Sequence, residues 1–346
     1  MKLSSVLAKW YHDNKRDLPW RDTTSPYHIW LSEIILQQTR VDQGLGYYRR
    51  FVAMYPEIQD LAAASADEVL KLWQGLGYYT RARNMHETAK VIVNEYNGIF
   101  PATYAGLLKL KGIGKYTAAA VASMAFNEPV AVVDGNVYRV ISRIFGISDS
   151  IDSAKGKKVF ELKAAELLNT AEPGTHNQAL MEFGAMICLP RNPLCSECVL
   201  AGICQARISD TIRLLPVKKL KGKSKIRYFN YLFVELNGKT LLKKRNNKDI
   251  WHSLYEFPLI ESTGPVTFSV LIAHPSWQAI TGHISAVCEE TKTYEHKLTH
   301  QTLVCSFTRV NIKSEPRNHE YILADMNDLN KFAVPRVIEK YLEDII

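Results

Sequence analysis

Apolar residues recur at helical spacing through the first two thirds of the chain. Within residues 1–17, one face of an amphipathic helix is formed by Leu3, Val6, Leu7, Trp10 and Tyr11. The same periodicity continues to about residue 207, and turns such as Asn97-Gly98 and Glu172-Pro173-Gly174 interrupt it. The pattern therefore predicts an all-α region.

A different pattern follows residue 226. Residues 228–236 and 240–244 are rich in β-forming residues and flank Asn237-Gly238, a dipeptide typical of two-residue β-hairpin turns. Residues 301–310 also favour a strand, and residues 337–346 return to helical spacing. The second region is therefore predicted to be α+β.

Length and charge agree with two domains of different character. A chain of 346 residues with 47% hydrophobic residues is long enough for two packed cores and unlike a disordered protein. Residues 1–225 carry 29 Lys and Arg against 21 Asp and Glu, whereas residues 226–346 carry 14 of each. The net charge of +8 thus lies on the helical part, as expected of a region that holds a nucleic-acid backbone.

Between the two regions, residues 214–225 contain five lysines and no acidic residue. This composition indicates an exposed linker, which either follows phosphates or is simply solvated. The chain has no run of 18 apolar residues, and its first residues lack the apolar centre of a signal peptide. We therefore expect a cytoplasmic, nucleoid-associated protein.

A helical hairpin is predicted at residues 108–122. Gly112 and Gly114 allow close approach of the backbone to a partner, and the free N–H groups at the start of the second helix favour a phosphate. An aspartate, Asp134, follows on an apolar run that ends at Gly135. A DNA-binding hairpin followed by a carboxylate suggests chemistry on a nucleotide, although a generic hairpin with a capping aspartate explains these residues equally well.

Four of the six cysteines are grouped within 17 residues, at Cys188, Cys195, Cys198 and Cys204. Such a group is typical of a metal site rather than of disulfides. Zinc and an iron–sulfur cluster remain about equally probable from the spacing, because only one C-x-x-C pair is present. The two isolated cysteines, Cys288 and Cys305, are expected to be buried thiols.

These features occur together, in this order, in one group of proteins. The motifs shared with that group are Leu18-Pro19-Trp20-Arg21, residues 30–39 (WLSEIILQQT), Gly75-Leu76-Gly77-Tyr78-Tyr79, Arg81-Ala82-Arg83-Asn84, the hairpin, Asp134-Gly135-Asn136-Val137 and the four cysteines. From about residue 18 to residue 207 the chain resembles the helix–hairpin–helix base-excision glycosylases that carry an iron–sulfur cluster. Within them it is similar to the adenine-specific mismatch glycosylases of the MutY family.

The resemblance implies a multi-domain fold. An all-α helix–hairpin–helix glycosylase domain would occupy residues 1–207, with one 4Fe-4S cluster bound by the loop 188–204. A basic linker, 208–226, would lead to a smaller α+β Nudix-like domain at residues 227–346. That domain is similar to the family's lesion-recognition domain in Leu254-Tyr255-Glu256-Phe257-Pro258, but residues 227–346 contain no Nudix catalytic motif. Nucleotide pyrophosphatase activity is therefore not expected.

Two carboxylates suit glycosidic-bond cleavage, which needs a proton on the departing base and a negative charge beside the cationic sugar. Glu33 lies in a helical segment that is apolar on most sides, so burial should keep it protonated as the acid. Asp134 precedes a helical pattern, and the helix N-terminus should favour its charged form. Without the family resemblance, an ordinary buried glutamate and a simple helix cap would be the preferred interpretations.

Tyr116 separates two enzymatic hypotheses. In the strand-cutting endonuclease III branch, a Schiff-base lysine lies two residues after the second hairpin glycine, and here that position is Tyr116. Lys115 is adjacent but points about 100° away on a helix. The chain is therefore predicted to be monofunctional, with Tyr116 helping to hold Asp134. A pyrimidine-damage glycosylase/lyase and a non-catalytic DNA-binding protein are the alternatives.

The resemblance also implies roles for further residues. Gln38 and Tyr78 match wedge residues beside the lesion, Trp20, Arg21 and Gln178 match positions around the flipped adenine, and Asn136 matches a position beside the sugar. Thr299 and His300 match a loop that contacts the oxidised guanine, where the family usually has serine at the first position. The implied partner is double-stranded DNA containing adenine opposite 8-oxoguanine or guanine, bound by a monomer.

Overall fold

The structure is a computed structural model that describes residues 3–219, 224–281, 286–312 and 320–345. The chain forms two compact units, one comprising residues 1–64 and 84–220 and the other residues 65–83 and 221–346. The second unit thus includes a segment from the middle of the helical region. The predicted domain limits at 207 and 227 stay a prediction, and residues 220–223 of the predicted linker lie outside the described part of the chain.

Helices make up the regular structure described from residue 3 to residue 219, as the apolar periodicity predicts. They are α1 (Leu3–Asn14), α2 (Pro26–Leu36), α3 (Val41–Met54), α4 (Ile58–Ala63), α5 (Ala66–Leu72), α6 (Thr80–Tyr96), α7 (Tyr104–Leu107), α8 (Lys115–Phe126), α9 (Gly135–Phe145), α10 (Ala154–Leu167), α11 (Pro173–Met186) and α12 (Gln205–Ile208), with a 3₁₀ turn at Pro19–Arg21. Among the described residues, no helix is long and apolar enough to cross a membrane.

One core of the first unit joins α1, α9, α10 and α11. Trp10 of α1 packs edge-on against Phe183 of α11, with ring centroids 5.0 Å apart. Val140 of α9 and Phe160 of α10 are fully buried in the same cluster. Burial of such side chains contributes about 1.5–3 kcal/mol each. Helix α9, which begins directly after Asp134, is therefore held firmly by its apolar face.

The second unit contains a sheet of seven strands in the described residues. The strands are β1 (Lys225–Leu236), β2 (Lys239–Lys244), β3 (Tyr255–Glu256), β4 (Leu259–Ser262), β5 (Ala286–Lys297), β6 (Gln301–Ile312) and β7 (Ile322–Asp325). Their main order is β3-β2-β1-β6-β5, with β4 also paired to β1 and β7 to β2. Strands β1 and β6 are parallel, whereas the other pairs are antiparallel.

Strand β1 is buried on both faces. Phe229, Tyr231 and Phe233 share one cluster with α15 (Arg336–Glu343), while Leu232 and Val234 share another with α13 (Phe268–Ile272) and α14 (Pro275–Thr281). This is the expected alternation of strand side chains between two covered faces. The predicted hairpin is confirmed, because both residues of the turn Asn237-Gly238 have positive φ angles of 49° and 77°.

The isolated cysteines are only partly described. Cys305 is fully buried in the core of the second unit, as predicted. The side chain of Cys288 lies outside the described residues. The helix predicted at 337–346 is confirmed as α15 and ends at Glu343.

Candidate active site

Glu33 is a buried carboxylic acid on α2. Only 6% of the residue is exposed, among the buried apolar residues of the same helix. Burial raises its pKa to about 7, because desolvation disfavours the charged form and the nearby charge of Asp134 adds to the effect. A hydrogen bond from Tyr116 and the charge of Arg21 act in the opposite direction. The predicted protonated acid is therefore supported by its surroundings.

Asp134 caps the N-terminus of α9, as predicted. One carboxylate oxygen accepts a hydrogen bond from the Val137 backbone N–H at 2.7 Å, and the other accepts one from Asn136 Nδ2 at 2.8 Å. These bonds lower the pKa of Asp134, but burial outweighs them and raises it. The helix terminus thus favours the charged form, as predicted, but the sequence-based argument omitted desolvation, which opposes it.

The side chains of Tyr116 and Lys115 point to different surroundings. The Tyr116 hydroxyl donates a 3.7 Å hydrogen bond to Met181 Sδ, and it is close enough to the Glu33 carboxyl to lower the pKa of that group, while burial raises the pKa of Tyr116 itself. Among the described residues, no hydrogen bond from Tyr116 to Asp134 is found. Lys115 is exposed and forms a 2.8 Å ion pair with Glu161. The two adjacent residues are separated on α8 as the helix geometry predicts.

The residues matched to the adenine position lie in a polar network beside α11. Arg21 forms a bidentate ion pair with the buried Glu182, whose pKa falls to about 2 because Arg16 and Arg21 outweigh its desolvation. Gln178 accepts a hydrogen bond from Tyr11. Trp20 is 8% exposed and packs edge-on against Tyr48, with ring centroids 5.0 Å apart.

Both predicted wedge residues adopt an unusual backbone conformation. Gln38 has a φ angle of 58° and Tyr78 one of 48°, in the left-handed region that costs non-glycine residues free energy. Gln38 is exposed directly after α2, and Tyr78 is 49% exposed in the segment before α6. Each side chain is therefore presented to solvent rather than packed in a core.

The hairpin differs from its predicted span of 108–122. Its first helix, α7, is a single turn that ends at Leu107, and the turn runs to Gly114, the N-cap of α8. Gly112 has a φ angle of +77°, and a Cβ there would lie 2.7 Å from Asn84 Cβ. Gly114 has an ordinary φ of −89° and open space around it. Gly112 is thus required by conformation and packing, whereas Gly114 leaves the N-terminus of α8 uncovered.

Thr299 and His300 lie in the turn between β5 and β6, in the second unit. Thr299 Oγ1 and Tyr78 Oη are 2.7 Å apart, and both residues line a cavity with His300, Trp251 and His296. Trp251 packs edge-on against His296, with ring centroids 5.7 Å apart. The structure therefore brings the predicted wedge tyrosine and the predicted lesion-reading loop to one cavity of this unit.

The four grouped cysteines line one cavity after α11. Its other lining residues are largely apolar, including Phe183, Ile187 and Leu200. Arg143 of α9 donates to the Leu189 carbonyl at 2.7 Å and lies 3.4 Å from Cys188 Sγ. In the described residues, no three acidic, histidine or cysteine side chains form a group that could hold a single metal ion. The common cavity and the adjacent guanidinium fit a larger, negatively charged thiolate cluster.

Sequence reasoning missed several buried polar residues. One is Arg139, which donates to the Cys188 and Gly184 carbonyls and to Asn136. Another is Glu182, which accepts hydrogen bonds from Arg16 and Arg21. The third is Asn177, which bonds to backbone groups before Asp134. Their partners lie far away in sequence, so no local pattern marks them. The sequence signal that could have identified them is a polar residue at a core position of a helical pattern, as at Arg139 and Glu182.

Comparison with known proteins identifies the family of this chain. A family model described as HhH-GPD superfamily base excision DNA repair protein matches residues 31–169. The adenine DNA glycosylase of Buchnera aphidicola subsp. Acyrthosiphon pisum (strain APS) is 32% identical over 350 residues, which cover 99% of this chain and 97% of that protein. The chain belongs to the adenine DNA glycosylase family. It is therefore a base-excision repair enzyme that hydrolyses the N-glycosidic bond of adenine and binds damaged double-stranded DNA.

Other similar proteins align with part of this chain. The adenine DNA glycosylase of Homo sapiens is 44% identical over 211 residues, 58% of this chain and 38% of that protein. Among solved structures, a thermostable thymine-DNA glycosylase is 33% identical, with a TM-score of 0.55, over 60% of this chain and 95% of that one. An endonuclease III–DNA complex shares the fold at 24% identity, with a TM-score of 0.52, over 60% of this chain and 94% of the other.

Two further family models match the cysteine loop and the second region of this glycosylase. The iron–sulfur binding domain of endonuclease III matches residues 188–204, so the four cysteines bind a 4Fe-4S cluster rather than zinc. A NUDIX domain model matches residues 230–344. The predicted fold class, a helix–hairpin–helix glycosylase domain followed by a Nudix-like domain, is confirmed.

Proposed function

We propose that this glycosylase is monofunctional and removes adenine opposite 8-oxoguanine or guanine. The observation that carries the proposal is the pair of buried carboxyls, Glu33 with a pKa of about 7 and Asp134 at the N-terminus of α9. Their environments suit the two tasks of glycosidic cleavage, donation of a proton and stabilisation of a cation.

Glu33 acts in this proposal as the general acid. At a pKa of about 7, a large fraction carries the proton at neutral pH. Tyr116 holds one side of the carboxyl, whereas Glu33 Oε2 is buried and has no hydrogen-bond partner among the described residues. That oxygen is available to carry the proton to the leaving adenine.

Asp134 faces the deoxyribose in its charged form. Asn136 and the Val137 N–H fix its carboxylate, and Arg139 in turn holds Asn136 through a 2.8 Å hydrogen bond. Burial makes an isolated negative charge costly at this position. A positive charge that develops on the sugar offsets that cost, so the attraction is strongest in the transition state, where it accelerates the reaction.

Hydrolysis without strand cleavage is supported by the hairpin. The position that carries the Schiff-base lysine in the strand-cutting branch is Tyr116, and the neighbouring Lys115 is engaged with Glu161. A water molecule is then the nucleophile that completes the reaction. The remaining contacts are assigned by family position: Trp20, Arg21 and Gln178 to the adenine, Gln38 and Tyr78 to the opened duplex, and Gly112 and Gly114 to phosphates.

A single-turnover assay on matched duplexes tests the proposal. The duplexes differ only in the base opposite adenine, which is 8-oxoguanine, guanine, cytosine or thymine. Adenine release should be rapid with the first two and slow with the others, and the strand should stay intact until alkali is added. Equal rates on all four duplexes, or strand cleavage at the rate of base release, would contradict it.

A further inference from the structure

The segment that leads into Asp134 belongs to neither a helix nor a strand, so most of its backbone groups lack the hydrogen-bond partners that regular structure provides. Residues 127–134 connect α8 to α9 without helix or strand. Val132 is 1% exposed, so its buried N–H needs a hydrogen-bond acceptor. Pro129 has no N–H, and the backbone bonds of this stretch are local, from the Glu128 N–H to the Ala122 carbonyl and from the Val130 N–H to the Glu128 carbonyl. No backbone acceptor for the Val132 N–H is found among the described residues, so a side chain must supply it.

Asn177 of α11 supplies these bonds. Its Oδ1 accepts from the Val132 N–H at 3.0 Å, and its Nδ2 donates to the Val130 carbonyl at 2.8 Å. The same nitrogen donates to Ser123 Oγ of α8 at 2.9 Å. Asn177 is 1% exposed. One buried amide thus pairs with both an N–H group and a carbonyl of a backbone stretch that ends two residues before Asp134.

A glycine independently fixes the position of this amide. Gly174, one turn before Asn177, lies so close to α8 that a Cβ there would be 2.8 Å from the Ser123 carbonyl oxygen and 3.1 Å from Met124 Cα. The start of α11 can approach α8 to this distance only without a side chain. Gly174 and Asn177 therefore act together on the same junction.

We infer that Asn177 is a positioning residue for the reaction, because it holds the Val130–Val132 backbone and thereby the carboxylate of Asp134. The inference rests on the proposed role of Asp134. A misplacement of a catalytic group by about 1 Å can cost roughly a hundred-fold in rate. Affinity for the duplex depends mainly on phosphate contacts, so a loss of positioning at this junction should leave it nearly unchanged.

The test compares two variants in the full-length protein, Asn177→Leu and Gly174→Ala. Adenine release is measured in single turnover, and affinity is measured on the same duplex with a target nucleotide that cannot be cleaved. Asn177→Leu should release adenine about a hundred-fold more slowly, with its affinity within about threefold of the wild type and its cluster absorbance retained. Gly174→Ala should show a smaller loss of the same kind, because the added Cβ, 2.8 Å from the Ser123 carbonyl oxygen, forces the two helices apart while the Asn177 amide is kept.

Two reference variants make the result decisive. Asn230→Leu removes another buried asparagine, which bonds to the Ile260 carbonyl and to Ser262 in the second unit, and it should lower stability without slowing adenine release opposite guanine. Asp134→Asn tests the proposed role itself: if it keeps the wild-type rate, that role fails independently of Asn177. The inference is overturned if both junction variants release adenine within about threefold of the wild type, or if affinity falls as much as rate. If Asn177→Leu does not fold, Gly174→Ala decides.

Discussion

At the scale of single residues, Glu33 and Asp134 have the same functional group in different surroundings. Burial raises the pKa of both, but Asp134 accepts hydrogen bonds from a backbone N–H group at the N-terminus of α9 and from the side-chain amide of Asn136. Both bonds favour its charged form. Glu33 has a phenol hydroxyl and an apolar helix around it. The two carboxyls differ in their hydrogen-bond donors rather than in their burial, and this difference fits the proposed roles of Glu33 as the acid and Asp134 as the charged group.

Replacing Glu33 by glutamine should remove base release but not DNA binding. An amide preserves size and cannot donate the acidic proton, and loss of a general acid costs about 10²- to 10⁴-fold in rate. Single-turnover adenine release and duplex affinity are the measurements. Glu161→Gln, an acid-to-amide change at an exposed ion pair, is the matched control and should keep its rate. Release by Glu33→Gln at near wild-type rate would remove Glu33 from the mechanism.

The raised pKa of Glu33 also predicts a pH-dependent stability. In the unfolded chain its pKa returns to about 4.5, so the folded state binds the proton more tightly. This contribution is complete below about pH 4.5 and is lost as pH rises through about 7. Glu33→Gln should therefore gain stability relative to the wild type across that interval, by on the order of 3 kcal/mol. Urea unfolding at several pH values tests this, and a constant difference would contradict it.

Borohydride should trap no substantial covalent complex between the wild-type enzyme and DNA. Trapping needs an amine at the sugar, and Tyr116 occupies the relevant position while Lys115 pairs with Glu161. The measurement is the fraction of shifted DNA on a denaturing gel, with Lys115→Ala as the control. Strong trapping that persists in Lys115→Ala would identify another amine and favour the lyase alternative.

At the scale of elements, helix α9 links two sites. Its N-terminus is capped by Asp134, while Arg139 and Arg143 along its length bond to the cysteine loop at the Cys188 and Leu189 carbonyls. The loop has little regular structure of its own, and these arginines bond to its backbone. We therefore expect the fold of this region to depend on binding of the cluster.

Changing one cluster ligand should affect folding or DNA binding rather than the acid. The wild-type protein should be brown and contain iron and sulfide with little zinc. Cys198→Ser should lose much of this colour together with stability or affinity, because structural metal binding is coupled to folding. Cys305→Ser, at a buried cysteine in the other unit, is the control and should keep its iron. A colourless, fully active Cys198→Ser protein would contradict the prediction.

Sequence patterns predicted local features well and tertiary polar contacts poorly. The cap at Asp134, the Asn237-Gly238 turn and the four cysteines depend on neighbours in sequence, and each was predicted. The bonds of Asn177 to Val130 and Val132 span 47 and 45 residues, and those of Glu182 to Arg16 and Arg21 span more than 160. Such pairs exist only once the helices have packed, so no local pattern encodes them. The rise in the pKa of Asp134 was not predicted for the same reason, since burial is a tertiary property.

At the scale of the whole molecule, the family resemblance predicts that Thr299 and His300 recognise the base opposite adenine. Replacing both by alanine should lower the preference for adenine opposite 8-oxoguanine by roughly ten- to a hundred-fold, because a lost hydrogen bond is worth about 0.5–1.5 kcal/mol. Thr299→Ser keeps the hydroxyl that lies near Tyr78 and should keep the preference. The ratio of affinities for the two mismatches is the measurement, and an unchanged ratio in the double variant would assign the reading elsewhere.

The inclusion of residues 65–83 in the second unit has a consequence for how the chain is made. Asp67 pairs with Lys244, Gln74 with Glu339, and Arg83 with the carbonyl of His252. At synthesis rates of about 5–20 residues per second, the 265 residues that separate Gln74 from Glu339 take roughly 13–50 seconds to emerge. The contacts of residues 65–83 therefore cannot be completed until residue 339 has been synthesised. This early segment stays without its partners throughout that interval, so the second unit closes later than the order of its residues along the chain suggests.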